Sequence, residues 1–225
     1  MKVKTITLYS NDLKSQKSFY QDTLGLAASN ETEDSFSIEV GWTKMTFKKS
    51  SEKFCYHYCF LIPSNKLEEA LGWFGSRLDI VPIEDNFTYF FESWNARSFY
   101  FYDGNGNLAE CIVRYDLKNT SNTQFTSDDL LCINEIGMPS THIPTLNDSL
   151  INEMGSHFWK GDMERFATNG SQEGLFLLVN NLIKKTWFPS SLPTQSSPFQ
   201  ATIETKKGLF DIEFVAGELK ISKKQ

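Results

Sequence analysis

Leu13, Phe19, Tyr20 and Leu24 are matched in kind by Leu67, Trp73, Phe74 and Leu78 at a constant offset of 54 residues. Each quartet has the spacing of a buried helical stripe, and each follows a strand-like stretch and precedes a triplet of short strand candidates. An internal duplication of a βαβββ unit is the simplest source of such a match. One unit cannot bury its apolar face alone, so the chain must stack several. The first unit reads as a strand over Val3–Tyr9, a helix capped at Asn11-Asp12 and ended by Gly25, then strands over Leu26–Asn30, Ser35–Val40 and Thr43–Lys48. The second reads as Phe54–Ile62, a helix with Ser64-Asn65 as cap and Glu68 at capping-box spacing, then Thr88–Glu92, Arg97–Tyr102 and Leu108–Arg114.

A polar stretch from Asp116 to Asp128 has the composition of a linker, and the pattern restarts beyond it. Strands are expected at Ile133–Met138, His157–Trp159, Glu164–Ala167, Leu175–Val179 and Lys185–Phe188, with a helix near Thr145–Met154. Phe199–Thr205 and Leu209–Val215 read as a final pair. Only 27 residues follow Pro198, too few for a full fourth unit. The expected organisation is a domain over 1–115, a linker over 116–129 and a second, reduced domain over 130–225. The 225 residues suffice for two cores, and the 19 Phe suit half-buried sheet surfaces.

The net charge of −6, with no Lys/Arg block longer than two residues, excludes a nucleic-acid footprint. No apolar run reaches the roughly 18 residues of a membrane span, and Met1–Thr5 carries no apolar signal core. Cys55, Cys59, Cys111 and Cys132 form no dense framework and read as reduced thiols, which places the chain in the cytoplasm. Nucleophile elbow, phosphate loop, CxxC and HExxH motifs are missing, so the hydrolase, nucleotide and zincin classes have no support.

Two segments carry a family resemblance. Thr5 to Leu26, with Phe19-Tyr20 and Leu24-Gly25-Leu26, resembles the opening strand and helix of the vicinal oxygen chelate superfamily of glyoxalases, bleomycin resistance proteins and extradiol dioxygenases. Phe99 to Glu110 resembles its closing hairpin, with Gly104 where Pro is usual. The resemblance covers residues 3–115 and extends over 131–215 through Glu135-Ile136-Gly137, Gly174-Leu175-Phe176 and Trp187-Phe188-Pro189. It implies an α+β fold of tandem βαβββ modules forming open, U-shaped mixed sheets. The first and second modules would close on one pocket where Thr5, His57 and Glu110 converge.

In metal-using members that pocket holds a divalent ion. Carried over by position, His57 and Glu110 are ligands and Thr5 stands where a further His is usual. Two protein ligands would hold one ion (Zn, Fe, Mn, Ni or Co) weakly, since a neutral hydroxyl is a feeble donor. Thr5 and Arg97 are then candidates for substrate contact, Arg97 as a clamp for a carboxylate or phosphate. Glu135, Gln200 and Glu213 form a second candidate metal set in the later modules. Period-2 alternation puts Cys55, His57, Cys59 and Leu61 on one strand face, and Tyr56, Tyr58, Phe60 and Ile62 on the other, under the helices. The resemblance leaves two functions open, and with them whether the chain is an enzyme. One is a metal-assisted isomerase, lyase or oxygenase acting on a small oxygenated molecule; the other is metal-free binding of a small molecule. The expected partner is that small molecule, with no nucleic acid and no membrane, for a monomer or homodimer.

Overall fold

A computed structural model of the chain describes residues 1–224. The first module comprises β1 (Lys2–Ser10), α1 (Leu13–Ser18), β2 (Ser29–Thr32), β3 (Ser35–Val40) and β4 (Thr43–Lys49). The second comprises β5 (His57–Leu61), α2 (Leu67–Gly75), β6 (Tyr89–Phe91), β7 (Ala96–Tyr102) and β8 (Leu108–Arg114). The third comprises β9 (Cys132–Ser140), α3 (Ile143–Met154), β10 (Phe158–Gly161), β11 (Phe166–Ser171) and β12 (Gly174–Asn180). The chain ends with β13 (Phe199–Thr205), β14 (Gly208–Val215) and β15 (Glu218–Lys223). Asp12 caps α1 by accepting the Ser15 amide at 2.9 Å, and a π-helical turn over Phe19–Thr23 prolongs it. The capping box expected before α2 does not form; Lys66 is the N-cap and makes no side-chain cap bond. No described helix is long and apolar enough to cross a membrane.

In each complete module the first strand lies parallel to the last: β1 beside β4, β5 beside β8 and β9 beside β12. Parallel neighbours need a long crossover, and the module's helix supplies it. The fourth unit has no helix, so its strands run as an antiparallel meander. The sequence pattern predicts only two strands there, and β15 is a third. The turn into β15 is a two-residue hairpin with φ of +53° at Ala216 and +84° at Gly217, both left-handed as a type I′ turn requires. The strand expected at Lys185–Phe188 is only an isolated bridge, Thr186 to Pro193.

The strands form two mixed sheets, in the orders β15-β14-β13-β1-β4-β3-β2 and β10-β11-β12-β9-β5-β8-β7-β6. The first module therefore joins the fourth, and the second joins the third. The expected closure of modules one and two around one pocket is corrected. β1 and β5 lie in different sheets, so Thr5 does not converge with His57 and Glu110. Burial explains the choice. Every residue of β5 and β9 is buried, as suits central strands covered on both faces, and these two pair antiparallel. β1 and β13 each keep a partly solvated polar face, at Thr5, Thr7 and Gln200, and pair with each other. Each sheet thus draws strands from both sides of the 116–129 connector.

The helix-side faces of both sheets share one core, in which Ile6 and Phe47 from one sheet meet Tyr58, Phe60 and Phe101 from the other. Phe60, Phe74 and Phe101 form a ring cluster with centroids 4.8 and 6.4 Å apart. Such pairs add about 0.5–1.5 kcal/mol each beyond their area. The closing hairpin is tied to α1 through Asp103, which is buried and accepts from Gln16 Nε2 at 2.6 Å and the Tyr58 hydroxyl at 2.7 Å. This contact accounts for Gly104. A Cβ there would stand 2.4 Å from the Ser15 carbonyl oxygen and 2.8 Å from Cβ of Phe19, so no larger residue fits without displacing α1.

Candidate metal centre

The face of the β10–β6 sheet opposite the helices carries the second face of β5, and here alternation places His57, Cys59 and Leu61. Cys59 is in register with Glu110 on β8 and with Glu135 on β9. The two glutamates therefore flank Cys59 on one rung, with backbones about 10 Å apart at ordinary strand spacing. A small residue between them lets two long side chains converge, and His57 stands one side chain further along β5. One ligand atom from each of His57, Glu110 and Glu135 lies within 4.8 Å of the other two, and all three residues are buried.

The His57 ring is held in one orientation. Its Nδ1 lies 3.0 Å from the Leu108 carbonyl, which can only accept, so Nδ1 carries the proton. In the neutral ring Nε2 then presents its lone pair inward, 3.4 Å from Glu110 Oε2. A carbonyl fixing the tautomer of a ligating histidine is a common support of metal sites. Trp187 covers the other side of the ring, with centroids 4.7 Å apart. Gly137 makes this possible, because a Cβ there would sit 2.5 Å from the Trp187 ring.

The set opens into a cavity of about 410 Å³, walled by Phe91, Trp94, Tyr100, Trp187 and Phe188. That volume lies within the range of small-molecule sites.

No family model and no curated protein sequence matches the chain. A candidate dioxygenase from Bacillus subtilis superposes on 98% of this chain and 84% of its own, with a TM-score of 0.61 at 14% identity. The chain has the glyoxalase-like α+β fold. Shorter proteins match about half of it. A lactoylglutathione lyase from Agrobacterium tumefaciens covers 49% of this chain and 92% of its own, with a TM-score of 0.44 at 17% identity. A fosfomycin resistance protein from Listeria monocytogenes, solved with Mn(II), covers 47% and 83%, with a TM-score of 0.37 at 19% identity.

Within this glyoxalase-like fold the sequence-derived candidates regroup. His57 and Glu110 come together, and Glu135 joins them rather than Gln200 and Glu213. Thr5, Gln200 and Glu213 line a separate, polar depression on the other sheet, beside Asp211 and Lys220. There the Thr5 hydroxyl accepts the Thr202 amide at 3.1 Å. Arg97 does not line the cavity. It shares its strand parity with Phe99 and Phe101, which face the helices, and its guanidinium lies 5.5 Å from the Phe90 ring. Cys59 lies beneath the glutamates but is not one of the converging donors. Burial, with both carboxylates adding, pushes its thiol well above the usual range, so it stays neutral.

Arg114 was missed by the sequence reasoning. It is fully buried on the face of β8 that carries Glu110, four residues on. Nη2 donates to Glu135 Oε1 and Nε donates to Asn134 Oδ1 at 2.9 Å. Trp94 and Trp159 flank the guanidinium at 5.4 and 5.3 Å. The Glu110–Ile112–Arg114 alternation was the available signal. Despite this ion pair, burial pushes the Glu135 carboxyl up to about 7, with Glu110 adding to the shift and Arg114 and His57 opposing it. Desolvation of Glu135, with the like charge of Glu110 beside it, outweighs one guanidinium.

Proposed function

We propose that His57, Glu110 and Glu135 hold one divalent cation at the buried end of the cavity, and that the chain is a metal-dependent isomerase, lyase or oxygenase acting on a small oxygenated molecule. The observation that carries this is the convergence of one imidazole nitrogen and two carboxylates, from three adjacent strands, on a single buried point. The donors fit such an ion. One nitrogen and two anionic oxygens suit borderline divalent metals. With both carboxylates ionised, the one guanidinium leaves a buried negative charge that a cation would offset. When bound, the ion would act as a Lewis acid toward an oxygen of the ligand. The protein's own contribution is orientation and exclusion of water. The Leu108 carbonyl fixes the His57 ring, Arg114 fixes Glu135 by one oxygen and leaves the other free, and Trp187 and Tyr100 wall the site.

A second reading, metal-free binding of a small molecule, draws on one observation. Arg114 pairs with Glu135, and Glu110 approaches His57, so the four groups already partner one another.

Calorimetric titration of untagged, chelator-stripped protein with Mn²⁺, Ni²⁺ and Zn²⁺ separates the two. One ion per chain is expected. His57→Ala, Glu110→Gln and Glu135→Gln should each weaken binding about a hundredfold or more, since even supporting residues of metal sites are worth about 10–100-fold. Thr5→Val, on the other sheet, should leave it unchanged. The raised pKa of Glu135 adds a pH signature. Below about 7 the carboxyl is mostly protonated in the metal-free protein, so the share of released protons that Glu135 contributes on binding should approach one at pH 6 and be close to none at pH 8. Affinity therefore climbs as pH rises to about 7 and then levels. Absent binding, or binding indifferent to all three residues, favours the metal-free reading.

A further inference from the structure

Arg165, on the turn before β11, and Lys184, beyond β12, both line the cavity. The three proposed ligands are buried, whereas Arg165 is exposed and Lys184 only partly covered, so the cations mark the solvent end. Neither forms an ion pair among the described residues. The Arg165 side chain makes no hydrogen bond there. Lys184 Nζ donates once, to the Thr186 carbonyl at 2.9 Å, and keeps two donors free. Asp162 is the nearby carboxylate lining the cavity, but its Oδ1 is engaged by the backbone amides of Glu164 and Arg165 at 3.0 and 2.6 Å. Burial, with Arg165 adding like-charge repulsion, lowers the pKa of the Lys184 ammonium. Two cations thus face the opening against one carboxylate, which forms an ion pair with neither.

Between this rim and the metal end the walls are aromatic. Tyr89 and Phe188 stand at the rim with their rings 4.9 Å apart, and 43% and 40% of their surfaces remain exposed. Exposed rings beside a cavity, with a few polar groups converging on it, are the composition of a ligand site.

We propose that the cavity takes an organic anion with a flat apolar body, its acidic group held at the rim by Arg165 and Lys184 and its other end directed toward His57, Glu110 and Glu135. The inference deepens the function proposed above and rests on the same cavity, but the rim does not require the ion. The aromatic walls select the body and the two cations select the charge, since a guanidinium and an ammonium give an oxyanion charge-assisted hydrogen bonds.

The test uses 3-phenylpropanoate and its uncharged counterpart 3-phenylpropan-1-ol, titrated into the full chain with and without Mn²⁺. The carboxylate should bind at least about tenfold more tightly than the alcohol in both states. Arg165→Ala and Lys184→Ala should each reduce that preference about three- to tenfold, the size of a charged hydrogen bond discounted for exposure. Arg97→Ala, on the opposite face of the sheet, should not. A preference that appears only with Mn²⁺ and ignores the rim variants would mean that the acid goes to the metal; the rim proposal then fails and the metal reading stands. A rim-dependent preference in a chain that binds no metal would sink the metal reading and keep this one. Equal binding of acid and alcohol, or none at millimolar concentration, overturns the rim proposal.

Discussion

Replacing Arg114 with methionine should cost about 3–5 kcal/mol of stability at pH 8, the usual penalty for breaking a buried ion pair from one side. Arg114 is inaccessible to solvent, so water cannot replace it beside Glu135. Loss of the guanidinium also removes the main influence holding the Glu135 pKa down, so that pKa rises further above its unfolded value. A carboxyl whose folded pKa is raised takes up protons on folding. Its penalty is therefore small below the unfolded pKa near 4.5 and grows as pH rises through the folded value. The variant should lie closer to the parent at pH 5 than at pH 8. Pairing Arg114→Met with Glu135→Leu should recover most of the loss, because the stranded charge is gone. Urea denaturation of the three proteins at both pH values reads this directly. A cost below about 1 kcal/mol that ignores pH would mean that the pair is not an isolated buried charge couple.

The second large effect is expected at Asp103, outside the cavity. Its Oδ1 accepts the Asn105 and Asn107 amides, each at 2.9 Å, and Oδ2 accepts Gln16 Nε2, the Tyr58 hydroxyl and Asn107 Nδ2. Five donors thus converge on one buried side chain, and they come from α1, β5 and the hairpin itself. Asp103→Ala leaves them unpaired, and a buried unsatisfied polar group costs about 1–3 kcal/mol. Because the hairpin can relax, a total of about 3–5 kcal/mol is expected rather than the full sum. Asp103→Asn keeps the shape and one acceptor oxygen and should fall between the two. Chemical denaturation checks the order; an alanine variant within about 1 kcal/mol of the parent would show that the hairpin is not anchored here.

Much of this architecture was legible because it is local. The helical stripes of Leu13–Leu24 and Leu67–Leu78 mark α1 and α2, and strict alternation on β5 correctly separates His57 from Tyr56 and Tyr58. The Asp103–Asn107 turn was visible for the same reason. Which modules lie side by side was not. A repeat shows that units are alike, but β1 and β5 each carry one free side, and only the two-sided burial of β5 and β9 decides their pairing. That is why the sequence groups Glu135 with Gln200 and Glu213, and Thr5 with His57 and Glu110. Arg114 was hidden differently. Read as a strand terminus it looks like a surface charge, and only the strand pairing shows that it faces Glu135. Arg165 and Lys184 sit on aperiodic loops, where spacing carries no information about direction.

Anomalous diffraction from a crystal soaked in Mn²⁺ measures most directly where a cation binds. The expected result is one strong peak enclosed by His57 Nε2 and the carboxylates of Glu110 and Glu135. A peak at Thr5, Gln200 and Glu213 on the other sheet, or none within reach of His57 at saturating Mn²⁺, would contradict it.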